Sequence, residues 1–164
     1  MPTTYEPIAT STISAGSTIY FSSIPSTWTD LRIVACLVNT ISSSSVHLQF
    51  NSDAGTNYSR TNLRTGSAGV ISQRGTGVND IRALNWTTVS TFPGLVTFDI
   101  LSYGGSTHKT TLITASADGN GAESSQVNRT VGMWRNTAAI TSIDVIFNNS
   151  DVSGNVTLYG IKAT

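Results

Sequence analysis

Apolar residues in this chain recur at every second position in short runs, and no segment sustains the helical spacing of about 3.6 residues. Val46, Leu48 and Phe50 alternate with His47 and Gln49, and Val96, Phe98 and Ile100 alternate with Thr97 and Asp99. A period of two puts neighbouring side chains on opposite faces of a strand, so the apolar set of each run is expected inside and His47, Gln49, Thr97 and Asp99 outside. The clearest runs cover 18–22, 31–38, 46–50, 58–63, 81–86, 95–103, 109–115, 127–134, 140–147 and 156–161. Clusters of Gly, Asn, Asp and Ser separate them, and these residues make turns through positive φ or side-chain bonds to the backbone. The stretch 66–80 carries no regular pattern and reads as a surface loop. Residues 31–38 are apolar on both faces after Arg32, which predicts a central strand or one beneath a second covering surface.

Serine and threonine make up nearly three residues in ten, whereas only two lysines and two glutamates are present. Such short, uncharged, β-compatible side chains do not clothe helices, which need Glu, Lys, Gln and Ala. The expectation is an all-β fold, a two-sheet antiparallel sandwich of the jelly-roll kind with four strands in each sheet. No repeat or domain boundary interrupts residues 1–164, which read as a single domain. Residues 1–12, with Pro2, Pro7 and spaced threonines, read either as an extended N-terminal arm that adds to a neighbour or as an ordinary first strand.

Formal charge is zero, with nine basic and nine acidic residues interspersed. No basic stripe follows a phosphate backbone and no polybasic patch holds a membrane, so neither nucleic acid nor membrane is an expected partner. A neutral surface instead suits many copies packed side by side. The start of the chain shows no basic region followed by an apolar stretch, and synthesis in a cytoplasm is expected. The single cysteine, Cys36, rules out an internal disulfide and lies in the apolar run, where it is expected to act as a small buried hydrophobe.

Several blocks carry a resemblance: Pro2-Thr3-Thr4-Tyr5-Glu6-Pro7-Ile8-Ala9 at the start, Phe21-Ser22-Ser23-Ile24-Pro25-Ser26-Thr27-Trp28-Thr29-Asp30-Leu31, Phe50-Asn51-Ser52-Asp53-Ala54-Gly55-Thr56-Asn57-Tyr58, Gly132-Met133-Trp134-Arg135-Asn136-Thr137-Ala138-Ala139-Ile140, and Val156-Thr157-Leu158-Tyr159-Gly160-Ile161-Lys162-Ala163. With these, the chain resembles, essentially end to end, a family of small virion proteins of tailed bacteriophages. The resemblance implies a jelly-roll protein on the particle exterior, commonly a homotrimer. It would act as a capsid decoration (cement) protein on the major capsid protein, or as a head domain on tail appendages.

Residues suited to catalysis are sparse. Glu6 and Glu123 are the only glutamates, so a two-carboxylate glycosidase would have to recruit aspartates, and Asp30, Asp53, Asp118 and Asp151 sit in turn contexts. His47 and His108 are isolated and no zinc spacing occurs. A Ser-His-Asp set is open in principle, but no Gly-x-Ser-x-Gly elbow accompanies it. Asn51, Asp53, Gly55 and Asn57 alternate like calcium ligands, yet the pattern departs from an EF-hand and reads as a turn. No enzyme activity, metal or cofactor is expected. Trp28, Trp86 and Trp134 either pack at the ends of the sandwich or stack on sugars. The second role belongs to an alternative function, a tail-fibre or tail-tip module that recognises a host surface glycan. Pro2, Thr3, Thr4, Tyr5 and Pro7 are the candidate assembly contacts of the arm.

Overall fold

The computed structural model describes residues 5–40, 44–66, 69–86, 90–118, 125–148 and 151–162. In chain order the strands are β1 (Tyr5–Gly16), β2 (Thr18–Phe21), β3 (Asp30–Asn39), β4 (Ser44–Phe50), β5 (Tyr58–Gly66) and β6 (Gly69–Val78). There follow β7 (Ile81–Trp86), β8 (Ser90–Leu101), β9 (Lys109–Ala117), β10 (Gln126–Trp134), β11 (Ile143–Phe147) and β12 (Val152–Ile161). They form two antiparallel sheets, β1-β12-β3-β8-β9-β10-β5-β6 and β2-β11-β4-β7.

The protein is an all-β, jelly-roll-like sandwich. Strands β1, β12, β3 and β8 belong to one sheet and β2, β11, β4 and β7 to the other, and the chain alternates between them as an eight-stranded jelly roll does. Two pairs, β5–β6 and β9–β10, join the first sheet beyond β8 and widen it to eight strands. The sheets are therefore eight and four strands, where equal sheets of four were expected. The asymmetry comes from both added pairs hydrogen-bonding to the same edge.

The inward sets of both sheets make one core. Leu31, Ile33, Ala35 and Leu37 of β3 meet Val46, Leu48 and Phe50 of β4, with Val96, Phe98 and Ile100 of β8 beside them, all fully buried. β3 lies centrally, between β12 and β8, as its apolar character predicts. Its outer positions are half-buried except Cys36, which is exposed and not a buried hydrophobe. His47 also departs from expectation. It points to the outer face of β4 yet is buried, enclosed with Ser45 near the turn that carries Asp80.

Most of the stretch 66–80 is not a loop: residues 69–78 form β6, paired antiparallel with β5, and the turn into β7 follows. Its strand β6 is exposed at most positions and contains Gly75 and Gly77, so no apolar stripe advertises it. The N-terminal segment is a strand from Tyr5 onward, paired with β12 at the edge of the large sheet. Pro7 and a register shift beside it sit where edge strands tolerate them.

Candidate functional site

Asp53 illustrates how the turns were built. Its carboxylate accepts from Gly55 N at 2.9 Å, from Asn57 Nδ2 at 3.0 and 3.2 Å, and from Trp134 Nε1 at 2.7 Å. The indole bond, reinforced by those of Asn57 and Gly55, holds the Asp53 carboxyl below its ordinary range. The oxygens that a calcium ion would need are thus taken by the turn itself. Among the described residues, no three His, Cys, Asp or Glu side chains converge as a metal site.

Trp134 ends β10 in the core, 1% exposed, between Tyr58 and Phe50 at centroid distances of 6.4 and 5.6 Å. It packs the end of the sandwich and offers no face to a sugar. Trp28 is half-buried, with its ring against Gly160 of β12, where a Cβ would overlap the indole. The side chain of Trp86 lies outside the described residues. Of the arm candidates, Tyr5 stacks on Tyr159 at 4.6 Å and Pro7 lies opposite Tyr159 in the β1–β12 ladder. Pro2, Thr3 and Thr4 lie outside the described residues.

Sequence spacing gave no hint of a polar chain behind β4. Ser45 Oγ stands 2.6 Å from His47 Nε2, and His47 Nδ1 stands 2.9 Å from Asp80 Oδ2, an ion-pair contact without a regular hydrogen bond. Asp80 Oδ1 in turn accepts from Arg60 Nη1 at 2.9 Å. Burial works to raise the Asp80 carboxyl, but the His47 contact and the charges of Arg60 and Arg82 hold it low. Ser, His and Asp follow one another as in a hydrolytic relay, yet Ser45 is 4% and His47 3% exposed. The chain of contacts holds Asp80 and, through it, Arg60.

The broadest open surface is the outer face of the large sheet. Across β8, β9 and β10, Leu95 lies opposite Ser116 and Ser116 opposite Val127; Leu112 lies opposite Val131. Leu63, Leu95, Val127 and Val131 are each about half exposed, among threonines and serines. Arg32 and Asp99 pair with each other at 2.5 Å. A shallow groove of about 620 Å3 borders this face, where Leu95, Pro93 and Val127 approach Thr65 and Ser116. The face is partly apolar and rich in hydroxyls, and Arg129 stands exposed on it between Val127 and Val131, opposite Leu63.

No protein-family model and no curated protein matches the sequence. Among solved structures the chain is similar to the galectin LEC-6 of Caenorhabditis elegans, at 13% identity and a TM-score of 0.37, covering 85% of this chain and 89% of the galectin. A tetrameric galectin from the ball sponge Cinachyrella sp. aligns at 12% identity and a TM-score of 0.35, over 89% and 99% of the two chains. The endo-beta-1,3(4)-glucanase SCLam aligns at 8% identity and 0.30, over 88% and 63%. Similarity at this level speaks to neither ligand nor activity.

Proposed function

We propose that the protein is a phage virion structural protein, an exterior capsid decoration protein that binds the assembled shell and stabilises it as a homotrimer. The observation that carries this reading is the outer face of the large sheet, where half-exposed Leu63, Leu95, Val127 and Val131 stand among hydroxyls with few charges, Arg129 and the paired Arg32 and Asp99 among them. A surface of that kind associates by burying aliphatic area and matching hydroxyl bonds, without long-range attraction. The end-to-end resemblance to small virion proteins of tailed phages supports the same reading and makes the major capsid protein the partner. Binding only the assembled state stabilises it by mass action, and three linked contacts per trimer turn weak docking into firm attachment.

Two measurements test it. Particles carrying the protein are washed through a salt series, and retention that barely changes is the expected result, since neutral contacts are little screened. Stripping by moderate salt alone contradicts the mechanism. Val127→Asp and Leu95→Asp each place a charge in the docking face and are expected to abolish retention while leaving the fold intact. Copy number per particle separates shell from tail: hundreds favour decoration, and a few dozen or fewer favour a tail appendage.

A further inference from the structure

A sheet of four strands cannot cover one of eight. With neighbouring strands about 4.8 Å apart, the small sheet runs out while the large one continues, and β7 is its last strand. β7 lies over β9, β10 and β5, and β6 extends past it. Where the cover ends, a cleft of about 340 Å3 opens, lined by Arg60 and Asn62 of β5, Gln73 and Arg74 of β6 and Arg82 of β7. Every lining side chain is an arginine or an amide.

Three guanidinium groups meet here, and Asp80 is the carboxylate that offsets them. That carboxylate is already engaged by Arg60 and His47. Arg60 is fixed: its Nη1 donates to Asp80 Oδ1 and also to the Asp80 carbonyl at 3.2 Å. Its stem passes over Gly75, where a Cβ would stand 3.5 Å from Arg60 Cγ and Nε. Burial lowers the basicity of Arg60, Asp80 raises it again, and the like charge of Arg82 lowers it, so the two cations feel one another. Arg82 Nε is buried with no acceptor among the described residues. On the adjoining inner face, Arg64 Nε, Asn128 Oδ1 and Thr130 Oγ1 are likewise buried without a partner, and Asn128 and Thr130 are at most 2% exposed. Unmet hydrogen-bonding capacity of this kind is destabilising, and a polar ligand would offset it.

We propose that this cleft binds a small acidic sugar, its carboxylate or phosphate held by Arg60, Arg74 and Arg82 and its hydroxyls by Asn62 and Gln73. Guanidinium forks match planar and tetrahedral oxyanions two bonds at a time. Side-chain amides both donate and accept, as a sugar hydroxyl does. The volume is at the lower end for small-molecule sites, room for a single sugar unit and little more. The site goes beyond shell attachment: Arg60 and Asn62 line it from the inner side of the large sheet, and Arg74, opposite Thr61 in the ladder, joins them at the edge strand β6.

The test is calorimetric titration of the intact protein with glucuronate, glucose monophosphate, neutral glucose and inorganic phosphate. At least one acidic sugar is expected to bind roughly tenfold or more tighter than glucose and than inorganic phosphate, with affinity falling as salt is added. Arg74→Ala, on an exposed strand, and Arg82→Gln are each expected to weaken binding about tenfold or more. Unfolding temperature is measured beside them, and Arg74→Ala should leave it unchanged. Failure of both acidic sugars to bind overturns the proposal. Equal affinity for glucose overturns the role of the anion, equal affinity for inorganic phosphate overturns the role of the hydroxyls, and an unaffected Arg74→Ala overturns the location. Retention on particles is a separate readout, so loss of this site and loss of the attachment mechanism are told apart.

Discussion

Gly132 of β10 lies directly against Ile81 of β7, and Gly132→Ala tests that packing. A Cβ there would stand 2.8 Å from Ile81 Cδ1 and closer still to Cγ2. Carbon atoms rest at about 3.5–4.0 Å, so Ile81 or the whole of β7 must retreat by roughly 1 Å or more. Ile81 is fully buried, and overpacking of this kind costs about 1–3 kcal/mol. Gly132 is not among the positive-φ glycines, so alanine fits its backbone and recovers about 0.4–1 kcal/mol through the unfolded chain. The expected net loss is ~1–2 kcal/mol. Ile81→Ala alone should cost about 2–5 kcal/mol, but in its cavity the new methyl finds room, and the double variant should be more stable than the sum predicts by ~1–3 kcal/mol. Urea unfolding of the four proteins, with an unchanged denaturant slope, measures the cycle. If the two single effects add to within about 0.5 kcal/mol, Ile81 does not face residue 132 and the account of how β7 covers the large sheet is wrong.

Trp134→Phe keeps a ring in the core but removes the donor to Asp53, and a loss of about 1–3 kcal/mol is expected at neutral pH. Because the Asp53 carboxyl is held low in the folded state, its contribution is present above the ordinary carboxylate range and disappears as pH falls through the folded value, so part of the gap to wild type closes in acid melts. Asp144 is the opposite case: burial raises its carboxyl, with Ser52 opposing. Asp144→Asn should therefore raise the unfolding temperature at neutral pH, and the advantage should vanish once acid protonates the wild-type group. Burial raises the Tyr58 and Tyr103 hydroxyls as well; their phenolate absorbance should appear only with unfolding in alkali, and stability should fall as pH passes the ordinary tyrosine range. Cys36, exposed on the outer face, should react with a thiol reagent in the native protein, and a thiol that reacts only after denaturation would refute the placement of that face.

The strands with one covered face were legible from alternation alone. Residues 81–86 match β7 at both ends, and 31–38, 127–134 and 109–115 fall within one or two residues of β3, β10 and β9. Burial of one face leaves a period-two imprint because apolar side chains must go where water is excluded. β1 and β6 left no such imprint. They are the two edges of the large sheet, with little of either face covered, so nothing required apolar residues at alternate positions. The enclosure of Trp134 and the identity of its partner, Asp53, likewise depend on β10 ending beside a turn 81 residues away in sequence.

By itself, the sequence determined the class of fold: hydroxyl-rich alternating segments with Gly, Asn and Asp between them can bury their apolar halves only as packed sheets. Tertiary structure alone decided that eight strands face four, because hydrogen bonding at a sheet edge places no distinctive demand on side chains. It also decided where Arg60, Arg74 and Arg82 meet, since these belong to three strands whose juxtaposition follows from the step between the sheets. Charges dispersed along a chain carry no sign of convergence, and only the point where one sheet stops short of the other gathers them into a cleft.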